Sequence, residues 1–171
     1  MTLTDLDKST YNSYYQKYLN LVGDKPLLEA LQRGQVETEN YFENLETSLW
    51  EYRYKENKWT PKDILQHIID TERVFVYRAL YFSRVDEANL DGFDENLFAE
   101  NALANLKTAD ALLKEYSAVR NATISLYSGF STMQLRRCGK ANNSVLSVAA
   151  AGFIICGHEI HHRNIINERY L

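Results

Sequence analysis

At 171 residues, 45% hydrophobic and 25% charged, the chain is expected to be a single globular domain (residues 1–171), able to bury a core without disulfide or metal staples. A net charge of -4 and a pI near 5.6 withhold the basic footprint that a nucleic-acid backbone requires, so nucleic-acid partners are excluded. Two prolines and seven glycines are too few for the frequent turns of an all-β fold and favour long helices.

Residues 1–10 are polar and lack the hydrophobic region of a secretion signal. The longest apolar run, Val145 to Gly157, is far too short for a bilayer, so no membrane partner is expected. Cys138 and Cys156, without a secretion signal, are expected as free thiols in a reducing cytoplasm.

Tyr11 to Val22 is aromatic and short, a helix expected to lie across the main body. Gly23-Asp24-Lys25-Pro26 breaks it, and the spacing of Leu28, Leu31, Gln35, Thr38, Phe42, Leu45 and Leu49 predicts a first long helix over 27–48. Thr60, Pro61 and Asp63 form the clearest helix start, with a capping hydroxyl, a proline in the first turn and an acid at the positive end of the dipole. A second helix should run from Pro61 to about Arg84, with Ile64, His67, Ile68, Thr71, Phe75, Arg78 and Phe82 facing inward. Residues 85–101 read as an irregular lid or crossover. Leu106 to Tyr127 predicts a third helix with Leu112, Leu113, Tyr116, Val119, Thr123 and Leu126 as its apolar side. After a polar connection containing Asn142-Asn143, Ser144 or Ser147 can cap a fourth helix. Its inward stripe is Val148, Ala151, Ile155, His158, His162, Ile165 and Arg169, and Gly152 and Gly157 leave room for close approach or a ligand. The four long segments predict an all-α fold, a four-helix bundle with a short N-terminal helix.

Three of the four histidines lie on these inward stripes. His158 and His162, four residues apart, project from one helix face and can close on one metal ion, with His67 reaching across from the second helix. Three protein ligands leave a coordination position open, the arrangement of a catalytic rather than a structural metal site. The competing reading is three core histidines, each needing its own buried partners. His161 is turned off the stripe by roughly 100° and belongs beside the site or on the surface. His158-Glu159-Ile160-His161-His162 also matches the H-E-x-x-H pattern of zinc peptidases, but no third ligand follows at the usual spacing and no sheet edge for a peptide is evident. Glu159 stays open as a general base.

Around these residues the chain resembles the DinB-like (YfiT-like) superfamily of metal-dependent hydrolases and thiol S-transferases. The resemblance is carried by Lys58 to Arg73, Tyr77-Arg78-Ala79-Leu80, Gly92-Phe93-Asp94-Glu95, Gly157 to His162 and Glu168-Arg169-Tyr170-Leu171. It implies an up-down-down-up bundle with a long crossover, often a homodimer, whose metal triad maps onto His67, His158 and His162. Relatives of this kind include S-transferases that use a low-molecular-weight thiol and a thiol-dependent isomerase, with zinc, nickel or manganese at the site.

A divalent ion with an open position activates water or a thiol, or polarises a carbonyl. Arg78 either holds a substrate carboxylate or phosphate, or pairs with a buried glutamate such as Glu159 or Glu115. Glu72 and Arg73 are expected in inter-helix or dimer ion pairs, while Asp94 and Glu95 either fold over the metal or cap a loop. Two function classes follow: a metal-assisted hydrolase or thiol transferase acting on small molecules, or a metal or small-ligand binding protein without turnover. A cavity holding Arg78 and aromatics beside the triad favours the first, and a plugged triad the second.

Overall fold

A computed structural model describes residues 1–171. The N-terminal residues wind through three short 3-10 turns and then one helical turn, α1 (Gln16–Leu19), with Tyr18 and Leu19 buried. Gly23, at φ 74, reverses the chain in a conformation that suits glycine. The next helix, α2 (Leu27–Glu43), stops five residues before the expected end. Asn44 turns its side-chain amide back onto the Asn40 carbonyl, and a 3-10 turn at Thr47–Leu49 follows. Its buried face is Leu27, Leu31, Gly34, Thr38 and Phe42, so Leu28 and Gln35 are only half-buried.

The start of α3 (Pro61–Phe82) is as predicted. Thr60 Oγ1 accepts from the Asp63 amide at 3.1 Å, and Asp63 accepts from the Thr60 amide at 2.9 Å. All seven residues of the predicted inward stripe are buried. The crossover is more regular than expected. It holds a two-residue strand, β1 (Asn89–Leu90), and a helix, α4 (Glu95–Asn101), whose first amides donate to the Asp94 carboxylate. Asp94 is therefore a helix cap. A further helix, α5 (Ala109–Ser128), is capped by Thr108, and its buried face is Leu112, Tyr116, Arg120, Thr123 and Tyr127 rather than the stripe through Leu113, Val119 and Leu126.

After the short α6 (Thr132–Leu135), the polar connection is a β-hairpin. Strands β2 (Cys138–Ala141) and β3 (Ser144–Ser147) pair antiparallel, and β1 adds parallel to β2. Asn142 and Asn143 have φ of 50 and 59, the left-handed pair that a two-residue hairpin turn needs. Ser147, not Ser144, caps the last helix, α7 (Val148–Arg169), accepting from the Ala150 amide at 3.1 Å.

Side-chain pairings fix the helix directions. Thr38 bonds Glu159 and Tyr41 bonds Asn167, so α2 and α7 run parallel; Gln66 meets Glu115 and Glu72 meets Arg120, so α3 and α5 do too. Gln35 with Asn121 and Glu39 with Ser117 set α2 against α5 in the opposite sense. The result is the up-down-down-up four-helix bundle, with α2 and α3 each packed on both α5 and α7. No helix is long and apolar enough to cross a membrane.

Two apolar clusters make up the core, one around Leu31, Phe75, Tyr127 and Ile155, the other around Phe42, Ile69, Tyr116 and Ile166. Between them lies a charged layer to which every long helix contributes. The fully buried Arg120 guanidinium donates Nε and Nη2 to the two oxygens of Glu72, both at 2.9 Å. It also donates Nη1 and Nη2 to Glu159 at 3.0 and 2.9 Å. Thr38 and Tyr116 complete the layer by donating to Glu159 at 3.0 and 2.6 Å. Burial alone would lower the Arg120 pKa, but the two carboxylates outweigh it and hold it well above the ordinary value. The same layer explains why Gly34 is buried: a Cβ there would run into the Glu159 carboxylate.

Candidate metal centre

His67 sits in the second turn of α3, and α7 presents His158 and His162 one turn apart, antiparallel to it. Their Nε2 atoms converge: His67 to His158 is 3.0 Å and His162 to His158 is 3.0 Å. For metal–nitrogen bonds of about 2.0–2.1 Å, coordination angles between 90° and tetrahedral put neighbouring nitrogens about 2.8–3.4 Å apart; both spacings to His158 fall in that range, and the three ligand atoms all lie within 4.8 Å of one another. The donor chemistry agrees. His158 Nε2 lies between two other ring nitrogens and carries at most one hydrogen, so hydrogen bonds alone satisfy the trio poorly.

Burial also prepares the imidazoles. It pushes the His67 pKa down to about 4, assisted by His161, and lowers His158 and His162 well below the usual histidine value. All three are held in the neutral form that metal ligation requires. Thr71 Oγ1 stands 3.5 Å from His67 Nδ1, where it can fix the ring through its second nitrogen. Trp59 packs beside His67 at a centroid distance of 4.8 Å, and Tyr18 sits edge-on to His158 at 5.4 Å.

The three rings form part of the wall of a cavity of about 670 Å³. Its walls come from α3 (Thr71, Phe75, Arg78) and α7 (Ile154), and its cover from three segments: the crossover around Phe93 and Glu95, one of the two placements expected for it, and two that sequence reading left outside the site, the N-terminal Tyr14–Tyr18 and the hairpin turn at Asn142. Gly157 is what lets the cover sit so low, because a Cβ there would meet the Tyr18 carbonyl. His161 lies at the cavity wall, half-buried, with its ring 5.3 Å from Tyr18.

Arg78 faces this cavity. Neither suggested glutamate reaches it: Glu159 is held by Arg120, and Glu115 by Arg73 and Lys107. The placement of Glu159 corrects its expected role as general base. It is fully buried in the charged layer and does not line the cavity, because consecutive residues on a helix point about 100° apart. Glu72 and Arg73 make inter-helix pairs, with Arg120 and Glu115 respectively. Arg120 itself went unnoticed in the sequence; the signal was two glutamates, Glu72 and Glu159, on otherwise apolar helix faces that needed a cation between them. Both cysteines are free, and burial raises the pKa of each, so neither is a ready thiolate.

The model of the DinB superfamily matches residues 30–166, a span that includes His67, His158 and His162. The chain belongs to the DinB superfamily. No curated protein matches it closely enough to count as a relative. Among solved structures, YfiT from Bacillus subtilis superposes with a TM-score of 0.74 at 15% identity, over 95% of this chain and 89% of that one. That protein is described as a probable metal-dependent hydrolase with an unusual four-helix bundle topology. At that identity the likeness to this DinB-superfamily chain carries the fold, and the site has to be argued from its own residues.

Proposed function

We propose that this DinB-superfamily protein is a divalent-metal-dependent enzyme, a hydrolase or thiol S-transferase acting on small molecules. The observation that carries the reading is the convergence of three neutral imidazoles, two buried and one half-buried, on a roomy cavity rather than a plugged core. His67, His158 and His162 would hold zinc, nickel or manganese, with at least one position left for substrate. When bound, the ion supplies Lewis acidity, activating water or a low-molecular-weight thiol near neutral pH.

The chain's own residues do the rest. Thr71 orients His67, Trp59 and Tyr18 shield the ring edges from bulk water, and Phe75 and Phe93 give the cavity an apolar flank. Proton-accepting side chains at the wall, besides the triad, are His161 and Glu95. Glu159 acts as a positioning residue, clamping α7 at the position next to His158. The open cavity and Arg78 favour this reading over a metal-binding protein without turnover. A cytoplasmic setting is supported by the two unpaired thiols, and a homodimer by exposed Leu97, Phe98, Leu103 and Leu106 along the crossover.

Elemental analysis of the purified protein tests the site. We expect about one divalent ion per chain, lost in His67→Ala and His158→Ala while far-UV circular dichroism stays helical. Equal metal content in wild type and variants would refute the triad. Assays of the loaded protein on thiol–acceptor pairs and on simple esters and amides then separate transferase, hydrolase and mere binder.

A further inference from the structure

Of the two buried arginines, Arg120 lies between two carboxylates, whereas Arg78 has no carboxylate partner at all. Arg78 is 4% exposed, donates to the Asp91 carbonyl at 3.4 Å, has the Tyr15 hydroxyl as a polar neighbour, and stacks over Phe75 and Phe93 at 5.1 and 5.7 Å. A guanidinium presents five donors in a planar fork that matches a carboxylate, and this one, with neutral partners only, lines the cavity. Desolvating a cation without a counter-ion is costly, which makes sense if the counter-ion arrives with a ligand.

Helix geometry supplies a ruler. Arg78 follows His67 by eleven positions, about 16 Å of axial rise; both side chains lean toward the N-terminus, and because the arginine is the longer and leans farther, the gap between guanidinium and imidazole is shorter than that, on the order of 10 Å. Its stacking on Phe75, three residues back, shows that lean. Thr71, Phe75 and Ile154 line the distance between. One guanidinium neutralises a single negative charge, and the cavity's other charged side chains, Lys17 and Glu95, offset each other, so a monoanionic carboxylate matches Arg78 better than a dianionic phosphate.

We infer that Arg78 is the carboxylate anchor of the cavity, and that the substrate is an elongated small acid whose carboxylate sits on the order of 10 Å from its reacting group at the histidine triad. The position of the reacting group rests on the metal-centre reading; the anchor stands without it.

Calorimetric titration of the purified full-length chain with hexanoate and hexanamide tests the anchor. Hexanoate should bind at least tenfold more tightly, Arg78→Met should erase that preference while leaving hexanamide unchanged, and Arg78→Lys should keep part of it. The preference should survive in His158→Ala, which separates failure of the anchor from failure of the metal site. Equal affinities in wild type, or a preference that persists in Arg78→Met and disappears in His158→Ala, would overturn the inference. Tighter binding of hexylphosphonate than of hexanoate would overturn the carboxylate assignment. With Co(II)-loaded protein, mercaptocarboxylates of increasing length should show a sulfur-to-cobalt band at lowest concentration for an intermediate chain; no length optimum would overturn the stated spacing.

Discussion

Burial decides how the site's histidines respond to acid. With the His67 pKa pushed down to about 4 against roughly 6.5 in the unfolded chain, the unfolded state binds a proton first as pH falls. The stability is therefore fully present above pH 6.5 and lost as pH drops toward 4, by on the order of 3 kcal/mol for this residue alone. His158 and His162 shift in the same direction. Thermal melts of metal-stripped protein should thus show a falling midpoint from pH 7 to 4.5; a flat profile would mean that the rings are not buried neutral. Arg120 makes a second residue-scale case. Arg120→Met leaves Glu72 and Glu159 facing each other without a cation and should cost about 3–5 kcal/mol in urea denaturation. Thr71→Val removes only the hydroxyl beside His67 Nδ1 and should weaken metal binding about tenfold with little loss of stability, read by competition with a chelator.

Helices reveal themselves when local chemistry and burial agree, as in α3, where the Thr60–Asp63 capping box and a strict inward stripe were both legible from the sequence. Likewise the stripe of α7 carried His158 and His162 to the right face. The stripes of α2 and α5 were right at Thr38 and Thr123 but missed Gly34 on one and Arg120 on the other, because one lacks a side chain and the other is charged. An apolar pattern cannot find positions chosen to serve a buried carboxylate. The hairpin was missed although Asn142-Asn143 between alternating residues is a turn signal, and α4 although Asp94 caps it. Short elements such as these owe their order to packing on the bundle, which a local window does not see. At this scale Gly157 is the decisive contact between α1 and α7. Gly157→Ala should push Tyr18 away, costing about 1–3 kcal/mol by overpacking, and raise the access of acrylamide to Trp59, measured by fluorescence quenching.

For the whole molecule, the triad ties α3 to α7 at a point beside the layer that divides the two apolar clusters. Metal at a hundred times its dissociation constant should stabilise the native state by about 2.7 kcal/mol, which for a chain of this size raises the melting temperature by about 5–10 °C. Calorimetry with and without added zinc or nickel checks this, and His162→Ala should abolish the rise. The bundle was readable because long amphipathic segments and few breakers leave little else, whereas the order of helix directions came only with the family resemblance. The N-terminal and hairpin parts of the cavity's cover were not readable, since nothing in Tyr14–Tyr18 or Asn142 says where a neighbouring strand or turn will rest. Since His158 and Glu159 are consecutive, α7 is keyed on two sides at once. A roll that loosens the salt-bridged flank would swing the imidazole out of aim, so access to the cavity falls to its cover of N-terminal, crossover and hairpin segments while the four long helices keep their rotational setting.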